Sequence, residues 1–305
     1  MSTPVYQRMA VIGFGLIGSS VARAARATGA VGEVVAFDLD PAVRAKALEL
    51  GIADRTEAEL ALAVSGADLV VLATPVGAIG EVARELAPHL APSATMTDVG
   101  SCKAVVEAAF SELGRSDIHA IPGHPVAGTE KSGPDAGFAE LFHNRWVILC
   151  PSAGADAAAV ERLSAFWRTL GAKIELMDAG HHDLVLAVTS HLPHLIAYNI
   201  VGTAADLETV TENEVMKFSA GGFRDFTRIA ASDPTMWRDV FLNNRGAVLE
   251  VLARFTEDLH MLSRAIRWGE GDKLHELFTR TREIRRGVIA LGQETPEANF
   301  GRDKR

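Results

Sequence analysis

Two regimes of hydrophobic patterning divide the chain. From the N-terminus, short unbroken apolar runs alternate with stretches of helical spacing. "MAVIGFG" (Met9–Gly15) predicts a buried strand entering a glycine turn, and "LIGSSVARAARATG" (Leu16–Gly29) a helix closed by glycine. "EVVAFD" (Glu33–Asp38) predicts the next strand, then a helix opening on Pro41 and closing at Gly51. Further strands are predicted in "ADLVVLATP" (Ala67–Pro75), "ATMTDVGS", "DIHAIPGHP", "RWVILCP" and "AKIELMD". Helices are predicted over Val76–Leu86, around Lys103–Leu113 and over Ala155–Leu170. Strands that are apolar throughout, alternating with helices, imply a mostly parallel sheet covered on both faces. After Asp178 the strand-like runs stop, and Leu184–Ala205, Pro234–Trp268 and Asp272–Leu291 all carry helical spacing. An α/β domain over residues 1–177 and an all-helical domain over 178–305 are therefore expected.

Composition narrows the function classes. With 305 residues the chain can build two domains, and 48% hydrophobic with 23% charged residues is ordinary globular usage. A net charge of −9 argues against a nucleic-acid or anionic-membrane partner, so an anionic substrate would need a local basic pocket. The mixed charges of "SRAIRWGEGDKLHELFTRTREIRR" predict a solvated helical face. Cys102 and Cys150 form no disulfide framework and suit a reducing cytosol. The N-terminus lacks a signal-peptide pattern, and no apolar run approaches the roughly 18 residues of a membrane span. A cytoplasmic protein is expected.

Chemistry begins at "GFGLIG". Gly13, Gly15 and Gly18 follow a predicted strand and open a helix, the context that makes this spacing a dinucleotide fingerprint. Gly13 permits the tight turn, Gly15 lets backbone approach a pyrophosphate, and Gly18 lets the helix pack on the strand. The helix start, with Leu16 and Ile17, then offers free N–H groups to the phosphates. Asp38 closes the second strand and is placed to accept from both ribose hydroxyls, favouring NAD over NADP; Asp40 is a nearby competitor. Ligands of such sheets lie beyond the carboxyl ends of the strands. That rule selects "ATPVG" (with Thr74 and Pro75), "DVGSCK" (with Asp98 and Ser101) and "PGHPVAG", and so puts His124 on the nicotinamide side.

The helical half opens with four histidines in fourteen residues: His181, His182, His191 and His194. A metal site is set aside because Pro193 should interrupt the helix and Asp183 suits a helix cap; a substrate-pocket lining is preferred for His182 and His194. In "GGFRDFTRIAASDPTMWRD", Gly221-Gly222 should break a helix beside Arg224 and Arg228, and Asp233-Pro234 should cap a new helix carrying Trp237. Arginines in such a place suit two-pronged carboxylate recognition.

In this order and spacing, "VIGFGLIGSS", "TDVGSCK", "GHPVAGTEKSG", "SHLPH" and "GGFRDFTRIAASDPTMWRD" resemble the prephenate/arogenate (cyclohexadienyl) dehydrogenase family of tyrosine biosynthesis. The likeness runs over about residues 9–290. It implies an α/β Rossmann-type dinucleotide-binding domain followed by an all-helical domain that forms a homodimer. The implied reaction is NAD-dependent oxidative decarboxylation of prephenate to 4-hydroxyphenylpyruvate, or of arogenate to tyrosine. It further implies His124 as the base on the substrate hydroxyl, with Ser101 bonded to that hydroxyl or to the imidazole. Arg228 would bind a carboxylate and His194 position the ring, while His182, Thr129, Glu130 and Trp237 complete the pocket. Arg224 would meet the side-chain end or pair with Glu130. No chorismate mutase segment is expected before the fingerprint, and no sizeable regulatory domain after the last helix. A β-hydroxyacid dehydrogenase would need a catalytic lysine after the nucleotide domain, and none lies between Lys173 and Lys217. The complete residue set also disfavours a non-catalytic NAD sensor.

Overall fold

The structure, a computed structural model, describes residues 3–129, 131–208, 217 and 220–290. It has two compact units, Met1–Val248 and Leu249–Arg305.

The first unit is built on a six-stranded sheet. Its strands are β1 (Tyr6–Ile12), β2 (Val31–Phe37), β3 (Arg55–Glu57), β4 (Leu69–Leu72), β5 (Thr95–Asp98) and β6 (His119–Ile121), all parallel. The order β3-β2-β1-β4-β5-β6 reverses direction between β1 and β4, where a crevice opens at the carboxyl ends. Alternate residues of each strand feed opposite cores. Met9, Val11, Val34, Leu69 and Val71 enter one with Phe166 and Trp167; Ala10, Ile12, Val35, Val70 and Leu72 enter the other with Ile79 and Trp237. The intervening helices are α1 (Leu16–Thr28), α2 (Pro41–Glu49), α3 (Leu60–Val64), α4 (Val76–Leu86) and α5 (Ala104–Ser111). Strand β3 and helix α3 carry too few residues to show a period and were not legible in the sequence.

A second, three-stranded sheet holds β7 (Gly123–Pro125), β8 (Trp146–Leu149) and β9 (Lys173–Leu176), with α6 (Ala157–Thr169) between the last two. The single strand predicted over "DIHAIPGHP" is in fact two. Pro122 has no N–H to continue the first ladder, and the chain passes there from β6 into β7, which pairs antiparallel with β8. His124 therefore sits on β7, opposite Ile148, rather than at the end of the main sheet's last strand. Glycine is required at 123, since a Cβ there would lie 2.9 Å from Thr97 Oγ1 and 3.0 Å from the Asp98 carbonyl oxygen.

Beyond β9 the chain is helical. Helix α7 (Ala179–Leu186) continues through a π turn (Ala187–His191) into α8 (Leu192–Glu208). Pro193 was expected to interrupt this helix, but it does not. The wider π turn just before it absorbs the missing N–H and the ring's clash with the preceding turn. The resulting helix, Ala179–Leu207, is long and apolar enough by length and composition to cross a membrane, contrary to the expectation that no run reaches that length. Its buried positions include His182, Asp183 and His191, groups that a bilayer core penalises. Next come α9 (Gly221–Thr227), a 3-10 turn (Arg228–Ala231), α10 (Pro234–Asn243) and α11 (Arg245–Arg267). Gly221 and Gly222 open α9 after the N-cap Ala220, and Asp233 caps α10 by accepting from the Met236 N–H at 2.7 Å. The second unit contains the remainder of α11 and α12 (Gly271–Ala290).

Candidate active site

The glycine turn after β1 is shaped by contact. Gly13 has φ +92°, and a Cβ on it would lie 2.7 Å from the Ala73 carbonyl oxygen; one on Gly18 would overlap the Gly13 carbonyl. Gly15 differs, because a Cβ there would meet nothing within 4 Å. Gly15 is also the N-cap of α1, whose first turn (Leu16, Ile17) has no side-chain cap. Uncapped N–H groups facing open space make a cradle for a phosphate.

Asp38 follows β2 and ties the turn to it, accepting from the Phe14 N–H at 2.8 Å and the Asp40 N–H at 3.0 Å. Asp40 is occupied as the N-cap of α2, accepting from Ala42 N–H at 2.8 Å, which leaves Asp38 as the carboxylate at the strand end. Across the switch point, Thr74 and Pro75 follow β4. The Thr74 hydroxyl is buried and has no partner among the described residues.

Past β5 the arrangement departs from expectation. Asp98, expected against the cofactor, is fully buried and its oxygens are taken. It pairs with Lys103 Nζ and accepts from the N–H of Gly100 at 2.8 Å and of Gly123 at 3.0 Å. Lys103, fully buried as well, donates to the Gly123 carbonyl at 2.8 Å. The ion pair thus grips both polar groups of the residue before His124 and anchors β7 to the main sheet. Ser101 is half-buried in the same loop, and its hydroxyl bonds neither His124 nor any other described residue.

His124 is 7% exposed, and its Nδ1 lies 2.9 Å from His182 Nε2. His182 Nδ1 in turn lies 2.8 Å from Asp183 Oδ1. The same carboxylate accepts from the N–H of Lys103 at 2.7 Å and of Ala104 at 3.0 Å. Asp183 is therefore not the cap of α7. Asp178 fills that place, accepting from His181 N–H at 2.9 Å, and the helix turns Asp183 inward. His182, expected in the pocket wall, is fully buried behind His124. His124 Nε2 has no hydrogen-bond partner among the described residues and keeps some access to solvent.

Electrostatics keep the two histidines of this cluster neutral and Asp183 ionised. Burial, then the charges of His182, Lys103 and His191, hold His124 well below the ordinary histidine range. Burial also lowers His182, against the pull of Asp183. For Asp183, burial pushes upward, but bonds from His182 and the Lys103 and Ala104 N–H groups outweigh it and keep the carboxyl low.

The π turn sets the other histidines. In an unbroken α-helix His182 and His194 would point roughly 120° apart; the extra residue of the turn reduces this to roughly 20°. His194 donates from Nδ1 to the Ser190 carbonyl at 2.8 Å and stacks on Trp237, with centroids 3.7 Å apart. Its Nε2 is thereby the accepting nitrogen. Burial and the Arg228 charge lower His194, the Ser190 carbonyl opposing, which places Arg228 within electrostatic reach of that ring. Trp237 Nε1 is buried without a partner among the described residues. His191 Nδ1 lies 3.1 Å from Asn244 Nδ2, which also donates to the Asp183 carbonyl at 2.8 Å. Arg224 and Arg228 are exposed on α9 and the following turn. Thr129 is exposed and its hydroxyl accepts from Lys131 N–H at 3.2 Å, while Glu130 lies outside the described residues.

The sequence reading left out Lys103, Asp183 and Asn244. "HHD" and "DVGSCK" carried the signal for the first two, an acid beside a buried histidine and a cation five residues after a strand-end acid. Asn244 joins through tertiary packing alone.

A doubly wound parallel sheet with this glycine turn, beside a buried histidine with one ring nitrogen open, defines a nucleotide-binding oxidoreductase with an appended helical region. Family comparison then narrows the class. The prephenate dehydrogenase nucleotide-binding domain matches residues 21–176, and the prephenate dehydrogenase dimerization domain matches residues 178–280. A cyclohexadienyl dehydrogenase of Zymomonas mobilis is 44% identical over 282 residues, 92% of this chain and 96% of its own. The crystal structure of prephenate dehydrogenase from A. aeolicus, in complex with hydroxyphenyl propionate and NAD+, superposes with TM-score 0.86 at 34% identity, covering 94% of this chain and 99% of that one. Synechocystis arogenate dehydrogenase superposes with TM-score 0.79 at 29% identity, covering 92% and 100%. The chain belongs to the prephenate dehydrogenase family.

Proposed function

We propose that the protein is an NAD-dependent dehydrogenase that converts prephenate to 4-hydroxyphenylpyruvate, CO2 and NADH in tyrosine biosynthesis. The observation that carries the reading is His124, a neutral imidazole with Nε2 open, on the strand beside the carboxyl edge of a nucleotide-binding sheet.

The residues present fit the cofactor. The uncapped start of α1 with Gly13, Gly15, Leu16, Ile17 and Gly18 would hold the pyrophosphate, Asp38 the ribose, and Thr74 with Pro75 the nicotinamide half. NAD supplies the acceptor for the hydride leaving C4 of the substrate. His124 Nε2 takes the C4 hydroxyl proton as the C4 carbonyl forms. The C1–carboxylate bond then breaks, CO2 leaves, and its electron pair aromatises the ring to a phenolate. That oxygen recovers the proton from His124, so the base is regenerated with no net proton released. His194 presents an accepting Nε2 beside the ring, Trp237 backs it, and Arg228 offers its guanidinium to a carboxylate. Ser101, Thr129, Glu130 and Arg224 complete the proposed pocket.

Arogenate differs only at the side chain, and both acids are cyclohexadienes. The likeness to a cyclohexadienyl dehydrogenase and an arogenate dehydrogenase favours dual use as the second reading. The domain boundary proposed is 177/178. A cytoplasmic homodimer is also proposed, supported by the match to a dimerization domain and by exposed Met261, Ile266, Trp268 and Phe278.

NADH absorbance with prephenate or arogenate, each with NAD and NADP, tests the reading; NAD binding without NADH formation from either acid would overturn it. His124→Asn is expected to lower kcat by on the order of 100-fold or more while NAD affinity stays near wild type.

A further inference from the structure

Resting on His124 as the base, we propose that Asp183 and His182 are positioning residues that decide which nitrogen of His124 carries its proton. Neither touches the reacting atoms in this arrangement. They act through hydrogen bonds, and the donor–acceptor sequence along the chain of groups has one consistent solution.

Asp183 sets the direction. Its Oδ1 already accepts from Lys103 N–H and its Oδ2 from Ala104 N–H, at 2.7 and 3.0 Å, so the carboxylate is committed as an acceptor. His182 Nδ1, 2.8 Å away, must therefore donate. A neutral imidazole that donates from Nδ1 accepts at Nε2. His124 Nδ1, 2.9 Å from that nitrogen, must in turn carry the hydrogen. The lone pair of His124 is then at Nε2, the nitrogen that keeps some access to solvent. The opposite tautomer would aim an N–H at the substrate hydroxyl and could accept nothing. The carboxylate thus specifies, two groups away, that His124 is a base.

The same chain has a second effect during the reaction. When Nε2 takes the hydroxyl proton, the Nδ1 hydrogen can move to His182 Nε2, leaving His124 neutral and the positive charge beside Asp183. The proton returns along the same two bonds when the phenolate recovers it, so atoms and charge balance. The other charged or titratable groups acting on His124 are Lys103, paired with Asp98 on the β5–α5 loop, and His191 from the π turn. Lys103 and His191 disfavour a charge on His124 itself, which makes Asp183 the local counter-charge available.

Three substitutions test this. Asp183→Asn keeps the size but can offer an N–H to His182 Nδ1, which would reverse both tautomers. Its kcat is expected to fall by on the order of 100-fold, with KM for prephenate and NAD affinity within a factor of about 3 of wild type. The acid limb of its pH–rate profile should move to lower pH, since the charge that stabilises the protonated pair is gone. His182→Gln retains an acceptor for the Nδ1 hydrogen and should keep most of the wild-type kcat; His182→Leu offers none and should fall with Asp183→Asn. Should Asp183→Asn fail to bind NAD because it is unfolded, the Gln-against-Leu contrast decides alone. Equal kcat for those two variants, or a wild-type kcat and acid limb in folded Asp183→Asn, would overturn the proposal. If His124→Asn itself turns over normally, the reading of His124 as base fails first, so the two failures are distinguishable.

Discussion

At the scale of single residues, the site pairs one deeply supported group with exposed cations. His124 is held from behind by His182 and from the flank by the Asp98–Lys103 pair, whereas Arg228 is exposed on a short turn. The two should fail differently. Arg228→Ala should mainly raise KM for prephenate, because ground-state anion binding is lost, with kcat changing less; steady-state kinetics check this, and an unchanged KM would remove its carboxylate role. His124, Arg228, His194 and Trp237 were legible in the sequence as candidates, because they stand in motifs whose residue types suit the chemistry. The partner of His124 was not. The family resemblance implied Ser101 on the substrate hydroxyl or on the imidazole, whereas the imidazole's bond runs to His182, 58 positions along the chain. A hydrogen bond between segments that distant is set by how α7 packs beneath β7, and no local pattern reports it.

At the scale of elements, two local irregularities aim the chemistry. The π turn rotates His194 onto the side of His182, and the break at Pro122 moves His124 from the main sheet into β7. Both follow from prolines whose missing N–H was readable, yet periodicity alone took Pro193 as a helix end and "DIHAIPGHP" as one strand. The glycine turn shows the reverse, a feature whose separate roles were readable and whose contacts now differ in a testable way. Gly18→Ala forces a Cβ against the Gly13 carbonyl and should lower stability by about 1–3 kcal/mol along with NAD affinity. Gly15→Ala meets no protein atom within 4 Å and should leave the denaturation midpoint unchanged while weakening NAD binding. Calorimetry of both variants with and without NAD distinguishes them; equal stability losses would contradict the assigned geometry.

At the scale of the whole molecule, a buried imidazole cluster links folding to pH. Burial is the first cause lowering His124, His182, His191 and His194, and His191 is lowered to about 4. The unfolded chain binds protons at these groups from near pH 6.5, and the folded chain does so only at lower pH. Their contribution is therefore full above about pH 6.5 and is lost as pH falls through the folded values. For His191 alone the difference is of the order of 3 kcal/mol by about pH 4. Urea midpoints should fall steadily from pH 7 to pH 5, and a flat profile over that window would refute the coupling. The same burial keeps His124 unprotonated at neutral pH.

The sequence by itself determined the α/β-then-helical order and the dinucleotide turn, and it brought His124 forward as the candidate base through a family resemblance. These depend on periodicity, on glycines that sterics demand, and on residue types at short spacing. Tertiary structure alone decided what stands behind that histidine: Asp183 turned inward because Asp178 fills the cap, and Asp98 spent on Lys103 and Gly123. Those choices are made by competition among carboxylates for buried donors, and only packing brings the donors within reach.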